Sequence, residues 1–295
     1  MAVQARVALF KGISALLERL PERLDVGMAR VVAVVAGRRL KNSRAHLRRN
    51  IATALTANAE SVDATLLERF VDRGFASYGQ YWAESAKLPA LSRATITGRF
   101  IIAEGLEHLV AAKQRGQGVV LALPHIGSWE WGGAFLATLD MPMTAVAEEL
   151  EPPELFEWFK EKREAIGINI EPLDEHAGTA LLQVLRDGGV VGLLCDRDIQ
   201  DNGIEVEFFG ERVTIPGGPA TLALRTGATL LSAACFSGPG RDHFAVVTPP
   251  IETERTARLR GDVTRVTQAL ARELEGLIRR APEQWHILQP RFTES

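Results

Sequence analysis

The sequence predicts an α/β fold, in which a mainly parallel central sheet is flanked by helices and preceded by a helical N-terminal segment. Beyond about residue 90, short apolar runs alternate with helix-length amphipathic stretches, as they do when crossover helices join parallel strands. Before residue 90, the periodic stretches have helical spacing. We therefore expect one domain over residues 1–295, with a helical part at 1–90 and an α/β core at 91–295.

The N-terminal part predicts amphipathic helices. In residues 4–20, apolar side chains recur at helical spacing, and a second apolar stretch covers residues 26–37. The second stretch contains Arg30 and is shorter than the roughly 20 apolar residues that span a bilayer. Helices are also predicted over residues 38–57 and 61–88, the latter ending before Pro89.

Charge is unevenly distributed along the chain. Residues 1–50 contain eleven Lys and Arg against three Asp and Glu, a balance of +8, although the whole chain carries −3. A basic segment attached to an acidic body favours contact of residues 1–50 with an anionic membrane surface. The alternative is that these helices only pack on the rest of the protein. Nucleic acid is not expected as a partner, because Phe10 is the only aromatic residue in this segment and bases would have no stacking surface.

The core elements are predicted in alternation. Strands are expected at 100–102, 119–123, 143–147, 168–170, 190–195, 229–236 and 244–247, with an extended segment at 205–209. Helices are expected at 105–115, from residue 128, and at 152–166, 178–186, 217–226 and 259–280.

A strand-to-helix turn carries the strongest candidate chemistry. The apolar run 119–123 ends at Pro124, and His125 precedes Glu130 by five positions. Five residues on one straight helix would leave the two side chains about 140° apart. They can meet if His125 lies in the loop and Glu130 in the first helical turn, with Ser128 as the helix N-cap.

A carboxylate bonded to one imidazole nitrogen fixes the tautomer, so that the other nitrogen can take a proton from an alcohol. We therefore expect His125 to be a general base and Glu130 its partner, with loop amides near residues 127–129 available to an oxyanion. The alternative is a structural loop histidine beside an ordinary acidic residue in the first turn of a helix. Cys195 and Cys235 lack ligand-like spacing, so neither a disulfide nor a metal site is expected.

Several blocks in order resemble a known family. The segment 124–130 is similar to the His-X4-Asp/Glu block of the lipid A biosynthesis acyltransferases and of their actinobacterial relatives, the phosphatidylinositol mannoside acyltransferases. Three later or earlier segments also resemble blocks of this family: residues 105–109, residues 195–198 with 203–210, and residues 215–220 with 224–228. The resemblance covers about residues 40–290.

This resemblance implies transfer of a long acyl chain from acyl-CoA, a co-substrate, to a sugar hydroxyl of a membrane glycolipid, without a metal or other cofactor. The expected acceptor is a mannosylated phosphatidylinositol, because the N-terminus is basic and amphipathic and the Asp-Arg-Asp block is closer to those enzymes. Glu130, where the best-known mycobacterial members have Asp, keeps a lipid A-type acceptor as the alternative. The expected location is the cytoplasmic face of the cell membrane, with peripheral attachment.

Binding roles are expected for further residues, of which Arg163 resembles an arginine of the family, while the others follow a strand or precede a helix. Arg163 is expected to contact a phosphate or to pair with Glu148 or Glu149, and otherwise to be a solvated charge. Asp196, Arg197 and Asp198 would bind acceptor hydroxyls or support His125, unless they form a structural ion-pair cluster. Gly217 and Gly218 would offer backbone amides to a phosphate, or only make a turn.

Aromatic residues are candidates for an acyl channel or for plain core: Trp129, Trp131, Phe135, Phe156, Trp158 and Phe159. The histidines other than His125 are expected to be structural or at the surface. Two other functions remain possible from the sequence: a thioester hydrolase in which His125 and Glu130 activate water, and a non-catalytic module that binds membranes through residues 1–50.

Overall fold

The computed structural model describes residues 2–56, 62–256 and 258–289. Its N-terminal segment is helical, as predicted: α1 Ala2–Arg19, α2 Glu22–Gly37, α3 Lys41–Thr56 and α4 Ala64–Lys87. Residues 57 and 61, which the predicted helices included, lie outside the described residues. α4 begins where the Asp63 carboxylate accepts a hydrogen bond from the amide of Leu66, at 2.9 Å. Its buried side packs on Leu47 and Ile51 of α3.

The core alternates strands and helices. In chain order it contains α5 Arg93–Arg99, β1 Phe100–Glu104, α6 Leu106–Arg115, β2 Val119–Leu123, α7 Trp129–Thr138, β3 Met143–Ala147, α8 Pro153–Glu164, β4 Ile168–Pro172, α9 Ala177–Arg186, β5 Val190–Leu194, β6 Ile204–Phe208, β7 Glu211–Ile215, α10 Gly218–Thr226, β8 Thr229–Ser237, β9 His243–Val247 and α11 Leu259–Arg280.

Two elements were missed by the sequence analysis. α5 has only seven residues and too few apolar positions to show a period, although Ser92 caps it by accepting from Thr95. β7 pairs with the predicted extended segment, now β6, in an antiparallel hairpin that packs on α11.

The seven-stranded sheet has the order β1-β9-β8-β2-β5-β3-β4, and only β8 and β9 run antiparallel. The predicted mainly parallel sheet is therefore confirmed. β2 is central and buried along its whole length, with β5 on one side and β8 on the other. The pairing of β2 with β5 continues to their last residues, Leu123 and Leu194.

Both faces of the sheet are covered. Alternate β2 residues point to opposite faces, so Val120 and Ala122 pack towards α10 and α11, while Leu121 and Leu123 pack towards α7. Among the described residues, none of the helices combines the length and hydropathy needed to cross a bilayer.

Candidate active site

The His125 loop leaves the C-terminal end of β2 and presses against β8. Gly127 has φ +56°, and a Cβ there would lie 2.0 Å from the carbonyl oxygen of Cys235. Only glycine therefore fits at this position. The amide of Ser128 donates to the same carbonyl at 3.1 Å, which fixes the loop at the start of α7.

His125 is bonded twice to Asp196. Its Nδ1 lies 2.5 Å from Oδ1 of Asp196, and its backbone amide donates to Oδ2 at 2.9 Å. Asp196 is fully buried, whereas the His125 side chain is 28% exposed. Burial alone would raise the pKa of Asp196, but the charge of His125 and the hydrogen bonds from His125 and Trp285 outweigh it and leave the pKa below its ordinary value. The carboxylate is therefore ionised and available to orient the imidazole.

The expected hydrogen bond between Glu130 and His125 was wrong. Oε1 of Glu130 instead accepts from the hydroxyl of Tyr81 at 2.8 Å and from Arg163 at 3.3 Å. The first turn of α7 directs Glu130 towards α4 and α8, away from Nδ1, which Asp196 already occupies. For the charged residues after β5, the sequence analysis offered support of His125 as one expected role. Asp196 is the residue that has it.

Arg163 pairs with Glu130, and not with Glu148 or Glu149 as expected. Its guanidinium also lies over the rings of Trp129, at 5.2 Å, and Phe159, at 5.6 Å. The Glu148 side chain is exposed directly after β3.

Two polar atoms of the Glu130–Arg163 pair have no hydrogen-bond partner among the described residues. They are Oε2 of Glu130 and Nε of Arg163, and both are buried. Burial, and then the negative charge of Glu130, raise the pKa of Tyr81 well above its usual value, so this phenol stays protonated. A buried acceptor and a buried donor side by side can bind a ligand group that both donates and accepts a hydrogen bond.

An apolar groove of about 490 Å³ is lined in part by Glu130 and Arg163. Side chains of helices α1, α2, α4 and α8 line it, and Tyr81, Glu130 and Arg163 are among its polar lining residues. Its volume lies within the usual range of roughly 300–1,000 Å³ for ligand pockets.

Of the aromatic candidates for a channel, Trp158 and Phe159 line the groove. Trp131 stacks on His243, Phe135 packs on Phe100, and Phe156 lies in the core. Trp129 covers Arg163.

The remaining candidates at the strand ends have separate positions. Asp198 is buried and accepts from the amide of Gly203 at 2.8 Å, so it holds the turn before β6. Arg197 is half-buried beside it. Among the described residues, Arg197 pairs with neither Asp196 nor Asp198, so the alternative of a structural ion-pair cluster is not observed. Gly217 caps α10 and packs on Ile204, and the Cβ position of Gly218 is open.

Two details of the loop differ from expectation. Ser128 occupies the N-cap position of α7, but its buried hydroxyl makes no capping hydrogen bond. The amides of Gly127 and Ser128 donate to Gln284 and Cys235, so they are not available to an oxyanion. The amide of Trp129 remains a candidate, because the first residues of a helix lack intrahelical acceptors.

Sequence reasoning missed Tyr81 and Trp285. The indole Nε1 of Trp285 donates to Oδ2 of Asp196 at 2.6 Å. The N–H of a buried tryptophan usually has a polar partner, but the sequence does not show which one. No group of three or more His, Cys, Asp and Glu side chains in the described part of the chain is arranged to hold a metal ion.

Comparison with known proteins identifies the family of the chain. The family model described as bacterial lipid A biosynthesis acyltransferase matches residues 2–294. The chain therefore belongs to this family and is an acyltransferase.

Individual relatives fall into two groups. A phosphatidylinositol mannoside acyltransferase of Mycolicibacterium smegmatis is 35% identical over 281 residues, covering 94% of this chain and 88% of the relative. A protein of the same name from Mycobacterium tuberculosis is 37% identical over 250 residues, covering 83% and 76%. A lipid A biosynthesis acyltransferase of Haemophilus influenzae is 26% identical over 282 residues, covering 92% and 82%.

Proposed function

We propose that the protein transfers a long fatty acyl chain from acyl-CoA to a mannose hydroxyl of a phosphatidylinositol mannoside, with His125 as general base. The observation that carries this proposal is the pairing of His125 with the buried carboxylate of Asp196. The pair lies at the C-terminal end of the central strands, where α/β folds place their sites.

Asp196 determines which nitrogen reacts. Its carboxylate accepts the Nδ1 proton of neutral His125, so Nε2 carries the free lone pair. The partly exposed ring can then be approached by an alcohol. Asp196 also stabilises the imidazolium that forms after proton transfer.

The transfer proceeds directly between the two substrates. Nε2 of His125 takes the proton of the acceptor hydroxyl as its oxygen attacks the thioester carbonyl. The carbon–oxygen bond forms, the tetrahedral intermediate collapses, and the carbon–sulfur bond breaks. The imidazolium then returns the proton to the thiolate of coenzyme A, and the ester product remains on the glycolipid.

Glu130 and Arg163 bind the polar part of a substrate in this proposal. The unpartnered Oε2 accepts from a hydroxyl, and Arg163 donates to a carbonyl or phosphate oxygen. The pair lines the apolar groove, which fits the alkyl part of a lipid substrate. Glu148 and Arg197 are further proposed contacts to the acceptor, because they follow β3 and β5 at the same sheet edge.

The helices α1 and α2 support attachment to the membrane surface. Exposed apolar side chains are concentrated there: Ile13, Leu16, Leu24, Met28, Val31, Val32 and Val35. They share residues 1–50 with the balance of +8. Apolar insertion combined with basic charge is the pattern of a helix that lies in an anionic lipid interface, which on the cytoplasmic face would meet phosphatidylinositol lipids.

The mannoside acceptor is favoured by the names of the relatives at 35–37% identity. A lipid A-type acceptor is the second candidate, because a protein of that name is also similar and the chain carries Glu130 in place of Asp. Gly217 and Gly218, at the start of α10, are proposed to offer amides to the acceptor phosphate.

Mass spectrometry of the reaction products tests the proposal. Purified protein would be given acyl-CoA with mannosylated phosphatidylinositol and, separately, with a lipid A precursor. We expect acylated mannoside from the wild type and none from His125→Ala with an unchanged circular dichroism spectrum. Transfer to the lipid A precursor alone would favour the second acceptor, and coenzyme A release without any acceptor would indicate a hydrolase. Full activity of His125→Ala would contradict the mechanism.

A further inference from the structure

The C-terminal segment Gln284–Ile287 runs along the His125 loop. The amide of Gly127 donates to the carbonyl of Gln284 at 2.9 Å, and the amide of His286 donates to the carbonyl of His125 at 2.7 Å. Between these bonds, Ile126 and Trp285 form an antiparallel bridge. The segment therefore holds the backbone on both sides of Ile126.

Trp285 is the centre of this arrangement. Its side chain is fully buried, and the ring packs at 6.3 Å from Phe208 and 5.7 Å from Phe209 of the β6–β7 hairpin. The indole N–H reaches Oδ2 of Asp196 at 2.6 Å, the oxygen that also accepts from the amide of His125. Among the described residues, Asp196 thus has three donors, and of these only the indole of Trp285 comes from outside the His125 loop.

We infer that Trp285 is a positioning residue that sets the basicity and the orientation of the Asp196–His125 pair through its indole N–H. This inference rests on the proposed role of His125 as general base. A donor on Oδ2 draws negative charge away from Oδ1, so the carboxylate holds the imidazolium proton less strongly. Without this donor, the imidazolium would keep its proton to a higher pH.

The surroundings leave this effect undisturbed. Burial raises the pKa of the adjacent Cys195 thiol well above its usual value, with the charge of Asp196 contributing. Burial, followed by the charge of His125, lowers the pKa of His286 to about 3. Both side chains are therefore uncharged at neutral pH. Glu130 and Arg163 pair with each other, and neither hydrogen-bonds to His125 or Asp196.

The test compares Trp285→Phe with Trp131→Phe. Phenylalanine keeps an aromatic ring in both places, but only Trp285 loses a hydrogen bond, because the buried Nε1 of Trp131 has no partner among the described residues. For Trp285→Phe we expect the acid limb of kcat/KM to move up by about one pH unit and kcat to fall about tenfold, with KM nearly unchanged. Trp131→Phe should leave the midpoint in place.

A second measurement observes the hydrogen bond itself in the folded wild type. In the wild type, the indole proton of Trp285 should resonate well downfield of the other four tryptophans, and the shift should disappear in Asp196→Asn. An ordinary resonance, or an acid limb of Trp285→Phe that coincides with the wild type, would overturn the inference. Absence of acyl transfer by the wild type would instead contradict the proposed function.

Discussion

His125 and Asp196 lie at equivalent places on two neighbouring parallel strands, each two residues beyond the paired residues Leu123 and Leu194. Parallel strands in register bring their C-terminal extensions to the same edge of the sheet. The imidazole and the carboxylate therefore meet without help from the helix that follows. This geometry separates the role of Asp196 from that of Glu130, and the two roles can be measured independently.

Replacement of Asp196 by Asn should lower kcat by about 10³- to 10⁴-fold, because an amide can stabilise the wrong imidazole tautomer and cannot neutralise the imidazolium. Steady-state acyl transfer measures the effect. Asp198→Asn is a matched control, since it changes a buried carboxylate whose bond is to the amide of Gly203. A loss of less than tenfold is expected there, and equal losses in both variants would contradict the assignment.

Replacement of Glu130 by Gln should reduce kcat/KM by about 10- to 100-fold, since a charge-assisted contact is worth roughly 1.5–3 kcal/mol. The acid limb of the pH profile should stay in place, because Glu130 does not contact Nδ1 of His125. If Glu130→Gln shifted the acid limb as much as Asp196→Asn does, Glu130 would again be a candidate for the carboxylate that orients His125.

Filling the apolar groove should change the preferred acyl chain. Ala29→Phe places a ring in the groove lining of α2, so transfer of long chains should fall at least about tenfold relative to short ones. Competition between long and short acyl-CoA, analysed by mass spectrometry, gives the ratio. Val31→Phe adds the same ring to the exposed side of α2 and should preserve the ratio. An unchanged preference in Ala29→Phe would show that the acyl chain binds elsewhere.

Charges on the exposed side of α2 should weaken membrane binding. Val31 and Val35 are 65% and 44% exposed, and burying both in lipid would contribute roughly 3 kcal/mol. The double change to Asp should therefore reduce binding to vesicles containing phosphatidylinositol at least about tenfold. Val110→Asp changes a valine on α6 that is 45% exposed and should bind normally. Equal binding by all variants would exclude α2 as the attachment surface.

The buried Glu84 should make stability depend on pH. Burial, only partly offset by the hydrogen bond from Gln80, raises its pKa to about 7, so the folded state binds more protons than the unfolded state between about pH 4.5 and 7. Its contribution therefore turns unfavourable as pH rises through that window. At pH 8, the free energy of unfolding of Glu84→Gln, measured by denaturant titration, should exceed that of the wild type by on the order of 2 kcal/mol. The gain at pH 5 should be smaller.

The buried His243 changes stability with pH in the opposite direction to Glu84, and its protonation state must be considered in the same experiment. Burial, with smaller contributions from Arg99 and Arg241, lowers its pKa to about 3. Its contribution to stability is therefore lost as pH falls from about 6.5 towards 3. Because His243 stays neutral at pH 8, a gain there in Glu84→Gln reports Glu84 alone. An equal gain at pH 5 and pH 8 would contradict the assignment.

Much of the fold could be predicted from local pattern. Apolar runs such as Val119–Leu123 and periodic stretches such as α11 carry their own signal, and nearly every core element was found at its place. α5 and β7 were missed because short elements have too few positions to show a period. The His125 loop was also predictable, since Pro124 and Gly127 mark a turn after a buried strand.

The sequence by itself determined the family, the parallel sheet and His125 as the candidate base, because these follow from residues close together in the chain or from ordered motifs. It did not determine the partner of His125. Asp196 is 71 residues away, and Trp285 lies 89 residues beyond Asp196. Only the strand order places β5 beside β2, and only the return of the C-terminal segment across the loop brings the indole to Oδ2. Contacts of this kind depend on how distant elements pack, and that information is absent from local spacing.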